Sequence, residues 1–136
     1  MREIVSIIGL LVVSLLIIAA GVFGAYDRTI FVPAPDAATA NFARLIAARR
    51  FDLAMNHLAS QTARVETPQT LSARFEPLFE TTGKINRVSA EDQWMQQGQA
   101  SARATIEGDA GTAAFDVLLI RENGLWRVGS VSDLVR

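Results

Sequence analysis

A single imidazole, His57, is the one side chain of this 136-residue chain whose unperturbed pKa lies near neutrality. As a general base it would need a polar group to orient it and a substrate proton within hydrogen-bond reach. It follows Leu53 and Ala54 at helical spacing, which turns it partly inward and makes it a weak pocket candidate. The simpler reading is a histidine at a helix end or on the surface. Asp116 is the one acid in the middle of an apolar run, and it reads more simply as solvated or ion-paired than as a base. Asp52 reads as a helix cap. The pair Arg49-Arg50 could hold a lipid phosphate or an anionic partner, but solvated charges at a turn are the simpler account. The chain has no cysteine, which removes disulfides, thiolate catalysis and Cys-based metal sites together. The sequence also lacks a Gly-rich phosphate loop, a metal-ligand cluster and a nucleophile–base pair at a recognisable spacing. The expectation is therefore no catalytic residue, no metal and no cofactor. A formal charge of −1 without any basic block speaks against nucleic acid as a partner.

The elements that would position these residues are legible from spacing and turn chemistry. Asp36 can cap a helix whose apolar stripe runs through Phe42, Leu45 and Ile46. Asp52 can cap a second short helix through Ala54, Met55 and Leu58, or the first helix continues with a bend. Thr67-Pro68 is a clearer start, with Leu71, Phe75, Leu78 and Phe79 on one stripe and Pro77 expected to end or kink the helix. After Gly83 the pattern changes to strands at 85–94, 100–107, 112–121 and 125–131, separated by Gln97-Gly98, Gly108-Asp109-Ala110-Gly111 and Asn123-Gly124. The run Ser89-Ala90-Glu91-Asp92 weakens the first strand. Asn-Gly is the strongest short hairpin signal, because both central residues of a type I′ turn need positive φ.

With Asn123 and Gly124 as the two loop residues, Arg121 faces Trp126 and Leu119 faces Val128. Directly opposed residues share a sheet face. One face then carries Phe115, Val117, Leu119, Trp126 and Val128 and reads as the core side. The other carries Asp116, Leu118, Ile120, Leu125, Arg127 and Val131. That second set is too aliphatic for a face merely open to water, so Leu118, Ile120, Leu125, Arg127 and Val131 form the candidate partner surface. Cover by a loop or the linker is the alternative. Trp94 and Trp126 suit either core or interface, and Trp126 opposite Arg121 could add a cation–π term of ~0.5–1 kcal/mol.

Residues 4–23, IVSIIGLLVVSLLIIAAGVF, carry no charge and only two hydroxyls. At ~1.5 Å per residue such a run is about 30 Å long, the thickness of a bilayer's hydrocarbon core. It is longer than the apolar region of an export signal, although Ala19-Ala20-Gly21 resembles a cleavage site. The expectation is a short tail at 1–3, a transmembrane helix at 4–25, a proline-containing linker at 26–38 and a folded domain at 39–136. Phe23, Tyr26 and Phe31 would sit at the membrane interface. Gly21 and Gly24 only weakly suggest helix self-association. The charges flanking the span are nearly tied between its two sides, and the short N-terminal tail suits an N-in, C-out orientation. Basic residues are twelve Arg and one Lys, Lys84, a bias of GC-rich bacterial coding. The expected location is the bacterial inner membrane, single-pass, with a periplasmic domain.

Helices followed by an antiparallel meander make an α+β domain with the helices on one sheet face. Residues 43–54, ARLIAARRFDLA, resemble the opening of the cystatin-like cone fold named after nuclear transport factor 2. In that fold a helix, a charged-aromatic-acidic turn and a second helix follow one another. Residues 123–128, NGLWRV, are similar to its last hairpin and final strand. The likeness covers about residues 39–135 and is one of pattern rather than of catalytic motif. It implies a helix-capped, curved antiparallel sheet. Enzymes of that superfamily resembling ketosteroid isomerase or scytalone dehydratase carry Asp or His inside the cone, for which His57 is the one imidazole here. Other members, such as the periplasmic domains of type IV secretion inner-membrane components and the Mce-associated proteins, hang from one N-terminal helix. The expected function is a non-catalytic accessory, scaffold or assembly subunit of a larger membrane complex, with integral membrane subunits and the lipid bilayer as partners. Self-association through the outer sheet face is a further partner reading. The alternative is a tethered small-molecule-binding domain or enzyme, whose mark would be a pocket of roughly 300 Å3 with convergent polar groups.

Overall fold

Proline and small residues set up the first helix of the computed structural model, which describes residues 34–135. The expected span at 4–25, the interface residues Phe23, Tyr26 and Phe31, and the first part of the linker lie outside the described residues. Helix α1 runs Pro35–Ala47, so it begins inside the stretch expected to be linker. Ala34 is its N-cap and Pro35 opens it, where a missing N–H costs nothing. Asp36 is therefore a first-turn acid and not the expected cap. Helix α2, Phe51–Ala54, continues as a 3-10 turn, Met55–His57. Its N-cap is Arg50, and Asp52 again lies in the first turn instead of capping. Helix α3 spans Ser60–Val65 and α4 spans Pro68–Thr82.

Thr67 caps α4 through a reciprocal box with Thr70: each backbone N–H donates to the other residue's hydroxyl, at 2.8 and 3.1 Å. The helix runs five residues past Pro77, so of the two expected effects, an end or a kink, the proline does not produce the end. Pro77 is exposed, and Thr81 Oγ1 donates to its carbonyl at 2.9 Å.

Four strands follow as an antiparallel meander in the order β1-β2-β3-β4: Ile85–Gln96, Gln99–Gly108, Thr112–Glu122 and Leu125–Val131. The final turn has φ of 51° at Asn123 and 77° at Gly124, as the Asn-Gly pair requires. The run at 89–92 does not interrupt β1. The irregularities fall on either side of it, at Asn86 and Gln93.

Period-two alternation turns Ala100, Ala102, Ala104 and Ile106 of β2 and Ala113, Phe115, Val117 and Leu119 of β3 toward the helices, all buried. The alanine row leaves room for α1, which packs over β1 and β2. Phe75 of α4 sits between Phe42 of α1 and Phe115 of β3, edge-to-face at 6.3 and 5.1 Å between ring centroids. The fold is thus α+β: helices on one face of a four-stranded antiparallel sheet. Among the described residues, no helix is long and apolar enough to cross a membrane.

The two edges of the sheet differ. Along β4, Leu58 forms a parallel bridge to Val128, and the Ala59 N–H donates to the Val128 carbonyl at 2.7 Å. Thr62 Oγ1 adds a bond to the Gly129 carbonyl at 2.7 Å. Along β1, no described segment pairs with the outer side. At the far end, the turn out of α4 is clamped to the β2–β3 loop. Lys84 N–H donates to Asp109 Oδ1 at 2.8 Å, and Asp109 N–H returns a bond to the Lys84 carbonyl at 2.9 Å. Gly108 is obligatory there, since a Cβ would lie 2.1 Å from the Thr82 carbonyl oxygen.

Truncating the ring at the centre tests this account. Phe75→Ala should cost about 3–5 kcal/mol. For a domain of this size each kcal/mol lowers Tm by about 4–8 °C, so the loss should be plain in a thermal melt followed by circular dichroism.

Candidate functional site

The solvent side of the sheet carries the chemistry that the helices do not cover. Arg103 of β2 and Asp116 of β3 are directly opposed and form a bidentate pair, with Nε–Oδ1 at 2.8 Å and NH2–Oδ2 at 3.2 Å. The Asp116 backbone N–H donates to Ser132 Oγ at 2.8 Å. Asp116 is thus held as an acceptor within a surface pair. Next to it, Trp94 and Leu118 flank Ser101 in one row across β1, β2 and β3. Ser101 is buried, and its hydroxyl donates to Gln93 Oε1 at 2.7 Å. Ile120 and Leu125 continue the apolar surface toward the Asn123-Gly124 turn, with Trp94 42% and Leu125 41% exposed.

Leu118, Ile120, Leu125 and Arg127 lie on this outer face, but Val131 does not. A bulge in β4 pairs Leu118 with Ser130 and Val117 with Val131, after Leu119 has paired with Val128. The extra residue is Gly129, where a Cβ would meet Ile120 Cδ1 at 2.7 Å. One inserted residue flips the parity of the strand, so Val131 turns inward and packs against the core. The partner surface therefore loses Val131. Trp94, which the sequence left between core and interface, joins it.

His57 lies at the other side of the β4 edge. It lines a cleft of about 150 Å3 with Ala38, Asn41, Leu125, Trp126 and Arg127. None of these is a carboxylate, and the polar Asn41 accepts from Arg44 NH1 through its Oδ1 at 3.1 Å. Arg127 donates to the Asn56 carbonyl, which fixes the cation beside the imidazole. Burial first, and the Arg127 charge second, hold His57 below its ordinary pKa.

Arg49 and Arg50 diverge. Arg49 has a φ of 58° and ends α1 where glycine is usual. The Arg50 N–H bonds the Leu45 carbonyl at 2.8 Å, closing the turn. The Arg49 guanidinium stacks over Phe79 at 3.8 Å from the ring centroid, and Phe79 meets Phe51 edge-on at 6.4 Å. Arg50 reaches Asp52 at 3.7 Å in solvent. The two cations do not converge on one anion site.

A larger cleft, about 310 Å3, opens between α3, α4 and β4. Leu58, Val65, Leu71, Val128 and Val131 give it an apolar lining. At its rim the Arg74 NH2 pairs with Glu66 Oε1 at 2.6 Å. Sequence reasoning missed this cleft. Its ion pair spans the cap of α4, and its floor comes from a strand over fifty residues downstream, so no local spacing announces it.

No protein-family model matches the chain, and no curated protein matches it significantly.

Two measurements follow from these contacts. Because the folded His57 pKa is depressed, the unfolded chain takes up the proton first as pH falls. The His57 contribution to stability is complete above its ordinary value of 6.5 and is lost as pH drops toward the lower folded value. Urea midpoints measured between pH 7.5 and pH 5 should fall for the wild type and fall less for His57→Gln. At the helix end, Arg49→Ala keeps the left-handed strain and loses the stacking, whereas Arg49→Gly relieves the strain. Arg49→Gly should be the more stable variant by about 1 kcal/mol in urea melts.

Proposed function

We infer that this chain is a non-catalytic accessory subunit: a cone-fold domain resembling the nuclear transport factor 2 superfamily, held at a bilayer by residues 4–25, bracing a larger membrane assembly. The domain would be periplasmic in a bacterial inner membrane. The observation that carries the reading is the division of the sheet. Phe42, Phe75 and Phe115 fill the space between sheet and helices, where a cone-fold enzyme would hold its substrate. The apolar residues Trp94, Leu118, Ile120 and Leu125 lie instead on the solvent side, next to the Arg103–Asp116 pair. Such an aromatic-aliphatic patch with a polar rim suits a protein surface better than a small ligand. A tether adds to this, because confinement raises the effective concentration at a membrane partner without a large interface.

The 310 Å3 cleft beside Arg74 favours a second reading, a tethered domain that binds a small amphipathic molecule. Its apolar floor and the Arg74–Glu66 pair at its rim suit a ligand with an aliphatic body and a neutral polar end.

Purification of the full-length chain in mild detergent separates the two. The first reading expects stoichiometric membrane subunits to co-purify. Leu118→Asp should release them while the thermal melt of the domain is retained, and His57→Ala and Arg74→Ala should leave them bound. Recovery of the chain without other subunits, together with a bound small molecule lost in Arg74→Ala, would replace the first reading by the second.

A further inference from the structure

The unequal edges of the sheet point to a second contact surface, independent of the outer face. An edge strand presents a row of N–H and C=O groups that can template another strand, and folded proteins usually blunt it. The β4 edge is blunted by Leu58, Ala59 and Thr62. The β1 edge is twelve residues long and contains neither proline nor lysine. Its irregularities at Asn86 and Gln93 sit toward its ends and leave 87–92 in unbroken register with β2. Trp94 and Met95 on the same strand are 42% and 60% exposed.

The residues of this regular stretch are self-complementary. Arg87 and Glu91 are both exposed on the solvent-side face of β1. Among the described residues neither forms an ion pair, and Arg103, opposite Glu91, is engaged by Asp116. We propose that β1 pairs antiparallel with β1 of a second copy of this chain, about a two-fold axis through Ser89.

The register follows from elementary geometry. A two-fold axis normal to the sheet keeps helix side with helix side, so only residues of one face can oppose each other. An axis at Ser89 sets Arg87 against Glu91 twice, once on each side. On the helix side it sets Val88 against Ala90, both half-buried in the single chain. Moving the axis to Ala90 pairs Ser89 with Glu91 and leaves Arg87 against Gln93. Moving it to Glu91 sets like charges directly opposed, which is unfavourable. Ser89 is the axis that pairs both charges with their opposites.

The chain's lack of cysteine makes the axis directly testable. In the full-length chain in mild detergent, Ser89→Cys should yield a disulfide-linked dimer under mild oxidation. Thr105→Cys, on the same face but one strand inward, should yield none. Arg87→Glu and Glu91→Arg should each weaken self-association roughly tenfold by analytical ultracentrifugation, from two opposed pairs turned repulsive. The double exchange Arg87→Glu with Glu91→Arg should restore it. Equal cross-linking of the two cysteine variants, or a double exchange no better than either single one, overturns the proposal. Because Leu118 lies on a different surface, Leu118→Asp should leave the Ser89→Cys dimer intact, which separates this contact from binding at the outer face.

Discussion

The ring of Phe75, wedged between Phe42 and Phe115, is the contact on which the other parts of this fold depend. It ties α1, α4 and the central strand β3 into one body. Its counterpart is the alanine row of β2, which makes the sheet shallow where α1 must lie. Large rings are thus set against methyl groups in the buried interior. Phe42, Phe75 and Phe115 occupy the space between the helices and the sheet. The clefts beside His57 and Arg74 lie along β4 instead.

Much of this arrangement is legible in the residue pattern, and the failures have physical causes. Alternation along 112–121 and the Asn-Gly turn are local signals, so the last hairpin and the core face of β3 follow directly. Thr67-Pro68 marks the start of α4 for the same reason. Asp36 and Asp52 mislead because an acid in the first turn and an acid at the cap look alike in sequence. Here Ala34, followed by Pro35, and Arg50 take the capping positions. Pro77 does not end its helix, because a proline on an exposed face can be carried by an otherwise continuous one. Val131 misleads most instructively: every strand-face assignment assumes unbroken alternation, and Gly129 breaks it. The cleft at Glu66 and Arg74 was illegible because it exists only between segments distant in the chain.

The charged side chains show a division of labour. Arg103 and Asp116 neutralise each other in the middle of the outer face, leaving the aliphatic residues beside them as its distinguishing feature. Arg127 is turned to the Asn56 carbonyl, where it closes the 3-10 turn against β4 and disfavours a proton on His57. Arg49 lies over an aromatic ring. Arg49, like Arg121 over Trp126, uses its guanidinium against a ring, which suits a planar, weakly hydrated cation better than it would suit lysine.

The seal along the last strand has a temporal consequence. Thr62 and Gly129 are 67 residues apart, and Leu58 bridges to the same strand. A ribosome must therefore make the strand Leu125–Val131 before the segment after α2 finds its partner. Until then the third strand stands with a bare flank, and an incomplete product carries that flank into the cell. Nascent copies of this protein are thus open to mispairing until β4 has been made.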